Sequence, residues 1–110
     1  MLFLVIDRAK LEFVPSEVSI AQLKMFRQTL SMYKDFKENG KIKEIYSFAD
    51  HPGIVTIWDV ESHEELQKIL FMLPSTPFME RDVKPLANVD SLDDIAKELI
   101  DIVKSMPSFK

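Results

Sequence analysis

Two short segments, Leu2 to Ile6 and Ile54 to Val60, are apolar at nearly every position, and they restrict the possible folds more than anything else in the chain. A strand wetted on one side alternates apolar with polar residues, because successive side chains point to opposite faces. Neither segment alternates: Leu2, Leu4 and Ile6 are interleaved with Phe3 and Val5. Both strands should therefore lie in the middle of a sheet that is covered on its two faces. Two further strand-like segments differ. Ile42 to Ala49 carries Lys43 and Glu44, and Phe78 to Leu86 carries Glu80, Arg81, Asp82 and Pro85. Charges and a proline without an N–H belong at sheet edges.

Helical signals separate these strands. Pro15, Ser16 and Ser19 mark a helix entry, after which Ile20, Leu23, Arg27, Leu30, Tyr33 and Phe36 fall at steps of three and four, predicting a buried stripe broken only by Arg27. Asn39-Gly40 stops that helix, since glycine accepts the left-handed C′ conformation. Asp50-His51-Pro52-Gly53 reads as a turn. Ser62 with Glu65 predicts a reciprocal capping box for a helix carrying Leu66, Ile69, Leu70 and Leu73 and ending at Pro74. Ser91 with Asp94 predicts the cap of a last helix, with Leu92, Ile95, Leu99, Ile102, Val103 and Met106 on one side.

The order βαββαβ plus a final helix predicts an α+β, ferredoxin-like fold with antiparallel sheet order 4-1-3-2. Right-handed crossovers put both main helices on one face. The other face would leave a large apolar patch in water, so a second subunit, rather than the terminal helix, is expected to cover it as a homodimer or a larger ring. No repeat or linker appears. Residues 1–110 are thus expected to form a single domain, with a core over 1–88 and a helical extension over 89–110.

Composition removes whole classes of function. The net charge is −4, and Lys34, Lys37, Lys41 and Lys43 are interleaved with Asp35, Glu38 and Glu44. No nucleic-acid partner is expected from such a solvated, mixed face. The chain has no cysteine, which rules out disulfides and thiolate chemistry, and its two histidines are scattered, so no metal site is expected. Gly40 and Gly53 are its only glycines and cannot build a phosphate loop. No run approaches the roughly twenty apolar residues that span a bilayer, and the opening apolar run is too short for a secretory signal. A cytoplasmic location without membrane association is expected.

Several residues carry a family resemblance. Met1-Leu2-Phe3 with Val5, Leu23-Lys24, Gly40, and the stretch from Trp58 to Leu86 with Asp59-Val60, Ser62, Leu66, Leu73-Pro74, Pro77-Phe78-Met79 and Val83 resemble the muconolactone delta-isomerase family over about four-fifths of the chain. The resemblance implies a dimeric α+β barrel that needs no metal or cofactor. It implies a pocket between sheet and helices for a small acidic or lactone-like molecule. Some family features are replaced: a Glu-Lys pair in the first helix by Arg27 and Gln28, and a His-Leu-Trp-Arg run in the second strand by Glu44, Ile45, Tyr46 and Ser47. Those changes point away from muconolactone itself as the substrate.

Isomerising a lactone of this class moves a proton beside a carbonyl, which needs a base, a hydrogen-bond donor and a cation for the carboxylate. The chain offers His51 or Glu44 as base, Tyr46 as donor, and Arg27 or Lys24 as anchor. Glu44 and Tyr46 lie two apart and so share one face of a strand. Trp58 and Phe78 would wall the cavity in the manner the resemblance implies. Each residue also has a plainer reading: Arg27 snorkelling at a helix edge or pairing with Glu44, His51 exposed in its turn, His63 on the surface, and Trp58 and Phe78 simply packing. A non-catalytic oligomeric binding or scaffold protein that keeps only the fold is the alternative function.

Overall fold

A computed structural model describes residues 1–10 and 17–107. The elements run β1 (Leu2–Ala9), α1 (Glu17–Glu38), β2 (Ile42–Ser47), β3 (Gly53–Asp59), α2 (His63–Met72), a 3-10 turn (Thr76–Phe78), β4 (Met79–Leu86) and α3 (Val89–Ser105). The four strands form an antiparallel sheet in the order β2-β3-β1-β4. That is the arrangement the edge and centre arguments demand: the two apolar strands lie inside, and the charged ones outside.

Side-chain parity divides the sheet into two different faces. Phe3, Val5 and Asp7 of β1, Ile54, Thr56 and Trp58 of β3, and Met79 of β4 are buried towards the helices. The core continues through Tyr33 of α1 and Leu66, Ile69 and Leu70 of α2. Leu4, Ile6, Val55 and Ile57 belong to the opposite parity and stay half-buried, with Leu2, Tyr46 and Leu86 exposed around them. No element among the described residues covers that second face. Its apolar character agrees with the reading that β1 and β3 are greasy on both sides.

Three local expectations need correction, and a fourth lies outside the described residues. Thr29 and Tyr33 are the buried residues of α1, with Phe26, Leu30 and Phe36 half-buried beside them, whereas Ile20, Leu23 and Arg27 are exposed. At 100° per residue, Arg27 lies about 120° around the helix from Tyr33, so steps of three and four had drifted off the buried side. The capping box is only half formed. The Ser62 hydroxyl accepts from the Glu65 N–H at 3.1 Å, but the Glu65 carboxylate accepts from the N–H of Glu61 at 2.8 Å and from Lys41. α3 is capped by Asn88, whose side chain accepts from the Asp90 N–H at 2.8 Å. Ser91 instead donates its hydroxyl to the Asn88 carbonyl, so the helix starts earlier than Ser91 and Asp94 suggest. Pro15 and Ser16, the expected entry to α1, lie outside the described residues.

The β2–β3 turn is fixed by close approach. A Cβ placed on Gly53 would lie 2.6 Å from the Asp7 carbonyl oxygen and 2.9 Å from the Phe48 ring. Gly53→Ala is therefore expected to destabilise the fold by about 1–3 kcal/mol through overpacking against backbone, read as a lowered midpoint in urea unfolding.

α3 stands apart from this body. Every described residue from Val89 to Pro107 is exposed, and the chain's radius of gyration is 19.7 Å, against about 13 Å for a compact domain of this length.

Candidate functional site

The layer between sheet and helices holds charge where apolar packing would be expected. Asp7 lies on β1 with the same parity as Phe3 and Val5, which carries its carboxylate into the core, where it is fully buried. Arg81 is its cross-strand neighbour on β4. The Arg81 Nε donates to Asp7 Oδ1, and the Tyr33 hydroxyl donates to Asp7 Oδ2 at 2.7 Å. Both carboxylate oxygens are thereby satisfied, as a buried charge requires. Burial first, and then the Asp7 charge with its hydrogen bond, push the Tyr33 phenol above its ordinary range, against the opposing pull of Arg81. Tyr33 therefore stays protonated and remains a donor.

Arg81 has donors to spare. Its Nη1 reaches the Leu70 carbonyl at 3.3 Å and the Thr76 hydroxyl at 3.2 Å, while Nη2 is buried without a partner. The Arg81 side chain is only 12% exposed. It forms part of the wall of a groove of about 220 Å³ between α2 and β4, together with Phe3, His63, Leu66, Phe71 and Val83. Nη2 itself has almost no accessible surface, so an anionic oxygen in the groove would meet it only after the Arg81 side chain turned, where the surrounding low dielectric would strengthen the attraction. His63 stands edge-on to Phe3, with ring centroids 4.9 Å apart. It is the one titratable side chain besides Arg81 in that wall.

A second cavity of about 240 Å³ lies between α1 and the end of the sheet, bordered by Ala9, Leu23, Phe26, Pro52, Phe78 and Met79. Its lining is almost wholly apolar, apart from Gln22 and Ser75. Ser75 is tied to Thr29 through a buried hydroxyl pair at 2.9 Å.

The residues expected from sequence fall on separate surfaces. Glu44 and Tyr46 are brought together, with the Tyr46 hydroxyl donating to the Glu44 carboxylate at 2.9 Å, but both are exposed. They pair with Ile57 and Val55 on the sheet face away from the helices. Lys24 and Arg27 are exposed on α1. His51 shares a 2.7 Å contact with Asp50 through Nδ1 and stacks on Phe48 at 4.6 Å. That contact holds the Asp50 carboxyl below its ordinary range. Trp58 is 0% exposed; it packs against Tyr33 and Phe36 and donates to Thr56 at 2.7 Å. It therefore forms part of the core rather than a cavity wall. Phe78 does border the second cavity.

Sequence does not single out Asp7, Tyr33 and Arg81 as a site; His63 is exposed, in keeping with its surface reading, and also borders the groove. Strand parity alone could have flagged Asp7. Arg81 becomes legible only once the β1–β4 register is known.

Comparison with known proteins gives a consistent picture. A muconolactone delta-isomerase family model matches residues 1–91. The muconolactone delta-isomerase of Rhodococcus opacus is 35% identical over 68 residues, spanning 62% of this chain and 67% of that protein. That of Cupriavidus pinatubonensis is 32% identical over 75 residues, spanning 67% and 82%. A crystal structure of muconolactone isomerase superposes with a TM-score of 0.69 at 27% identity, covering 80% of this chain and 90% of the other. A 5-chloro-2-hydroxyhydroquinone dehydrochlorinase from Burkholderia phenoliruptrix, in complex with 2,5-dihydroxybenzoquinone, shares the fold at a TM-score of 0.59 and 17% identity, covering 80% and 95%. With most of its length matched by that model, and with a muconolactone isomerase superposing over 80% of it, the chain belongs to the muconolactone delta-isomerase family.

Proposed function

We propose that this protein binds a small organic acid of the lactone class in the groove between α2 and β4, and moves a proton on it. The observation that carries this reading is the Arg81 guanidinium, buried in an apolar wall with Nη2 unpartnered. Asp7 holds that guanidinium at the groove wall, and a turn of the Arg81 side chain would present its free N–H to a carboxylate oxygen. His63, on the same wall, is the proton-transferring group: it takes a proton from the carbon beside the lactone carbonyl and returns it elsewhere on the same molecule. An imidazole suits that work near neutral pH. The groove's size admits a ligand of roughly ten heavy atoms rather than a polymer.

Muconolactone, the molecule named for the relatives, is the first compound to test, beside a panel of small lactone acids. Turnover is followed by absorbance and binding by calorimetry. His63→Ala is expected to lower turnover by about 10²–10⁴-fold with little change in KM. Val83→Trp, which fills the groove from an exposed strand position, is expected to abolish binding while leaving the unfolding midpoint in place. Binding unaffected by Val83→Trp would sink the groove. Binding without turnover, with His63→Ala neutral, would favour the non-catalytic alternative.

The same reading includes a homodimer through the open face of the sheet, because Leu4, Ile6, Val55 and Ile57 form an apolar surface there that nothing in the described chain covers.

A further inference from the structure

Helix α3 lies almost entirely beyond the region that the family model matches, and neither the groove nor the open sheet face accounts for it. Its apolar side chains recur at alternating steps of three and four: Val89, Leu92, Ala96, Leu99, Val103 and Met106. That is the seam spacing of a helix packed along another helix. Ile95 and Ile102 widen the seam on one side, giving about three apolar positions per seven residues. Leaving out Ala96, these seam residues are between 41% and 72% exposed. At roughly half exposure, seven large aliphatic side chains present on the order of 700 Å², close to what one partner contributes to a standard interface. No part of the described chain shelters them.

Charge identifies the partner. The polar side of α3 carries Asp90, Asp93, Asp94, Glu98 and Asp101 against Lys97 and Lys104. An anionic lipid surface would repel it. The distribution is also lopsided: Asp90, Asp93 and Asp94 lie in the first half, whereas Lys97 and Lys104 balance Glu98 and Asp101 in the second. A second copy of α3 laid antiparallel sets each acidic half against a neutral one. With Ala96 level with the other copy's Leu99, Leu92 falls level with the other copy's Val103 and Val89 with its Met106, so the whole seam is paired. Parallel alignment would instead stack the three aspartates on one another, and would align the two helix dipoles unfavourably.

We infer that α3 is a self-association helix that packs antiparallel on α3 of a second copy, with Ala96 and Leu99 sharing the central layer. This does not rest on the groove or its chemistry.

The absence of cysteine makes the test direct. Full-length chains carrying Ala96→Cys and Leu99→Cys, alone and mixed one to one, are oxidised gently and separated without reductant. The mixture is expected to give the heterodisulfide as its main product, because two residues in one layer come within disulfide reach. Ala96→Cys alone should cross-link at least tenfold less. Adding Leu92→Glu with Val103→Glu to both chains should lower the heterodisulfide yield at least tenfold. Three results would overturn the inference. An Ala96→Cys homodisulfide equal to the mixed product would mean parallel pairing. Absence of any cross-link would mean that α3 docks elsewhere, on the sheet or in the groove. A yield unchanged by the paired glutamates would mean random collision.

Discussion

Arg81→Met is expected to lower the stability of the fold by about 3–5 kcal/mol, the cost of leaving a buried carboxylate without its counter-charge. Asp7 has both oxygens engaged by Arg81 and Tyr33, and it has no access to water that could compensate. Asp7→Leu should be comparably damaging, since it strands a guanidinium that is 12% exposed. The informative variant removes the whole cluster. Asp7→Leu, Tyr33→Phe and Arg81→Met together should be far closer to wild type than either single change, because an apolar set of similar volume neither desolvates charge nor leaves a donor unpaired. Urea unfolding with an unchanged slope would measure this coupling. Single changes that each cost under about 1 kcal/mol would mean that the cluster is wetted in solution, and the anchor beside the groove would lose its basis. The triple variant also separates stability from function: folded, yet without affinity for small acids, it would show that nature keeps the buried charge for binding rather than for the fold.

The architecture was legible because it rests on patterns that local sequence carries. Two strands apolar on every residue had to be central, and Pro85 with its neighbouring charges had to be peripheral. That much fixes the order β2-β3-β1-β4. The site was less legible because it depends on register. Asp7 is the first charged residue after an apolar run, and it reads as the end of a strand until its parity with Phe3 and Val5 is noticed. Its partner lies 74 positions away on β4, a pairing that only the assembled sheet reveals. Sequence reasoning turned instead to conspicuous residues. Arg27 stood out because a run of threes and fours was followed past the point where the helix had rotated it to the surface. Glu44 and Tyr46 were rightly placed on one face of β2, but strand parity does not say which face, and theirs is the face without helices. The physical limit is the same in each case. A periodicity of two or 3.6 gives relative orientation along an element, whereas a site needs orientation between elements.

The face that carries Glu44 and Tyr46 gives the other large expected effect. Ile57 lies at its centre, between Leu4 on β1 and Glu44 on β2. If two copies meet there, their two-fold symmetry places each substitution in the interface twice. Ile57→Lys would therefore bury two unpaired ammonium groups, one from each copy, each costing several kcal/mol. The dissociation constant of the sheet-face dimer should rise by at least about 10³-fold. The subunit itself should remain folded, since Ile57 faces away from the core and a strand surface open to water tolerates lysine. Because α3 offers a separate contact, the measurement belongs in the Leu92→Glu, Val103→Glu background, by sedimentation across a dilution series. There the chain should sediment as a dimer, and adding Ile57→Lys should leave a monomer. A chain already monomeric in that background at high concentration, or one whose mass ignores Ile57→Lys, would refute the sheet-face pairing. The Glu44–Tyr46 hydrogen bond then acquires a role of its own. At the β2 edge of the apolar patch it is a polar rim element, where an aromatic ring supplies contact area and its hydroxyl stays satisfied. Tyr46→Ala should weaken the dimer moderately, by about tenfold, and leave the groove beside Arg81 untouched, because the sheet itself lies between them.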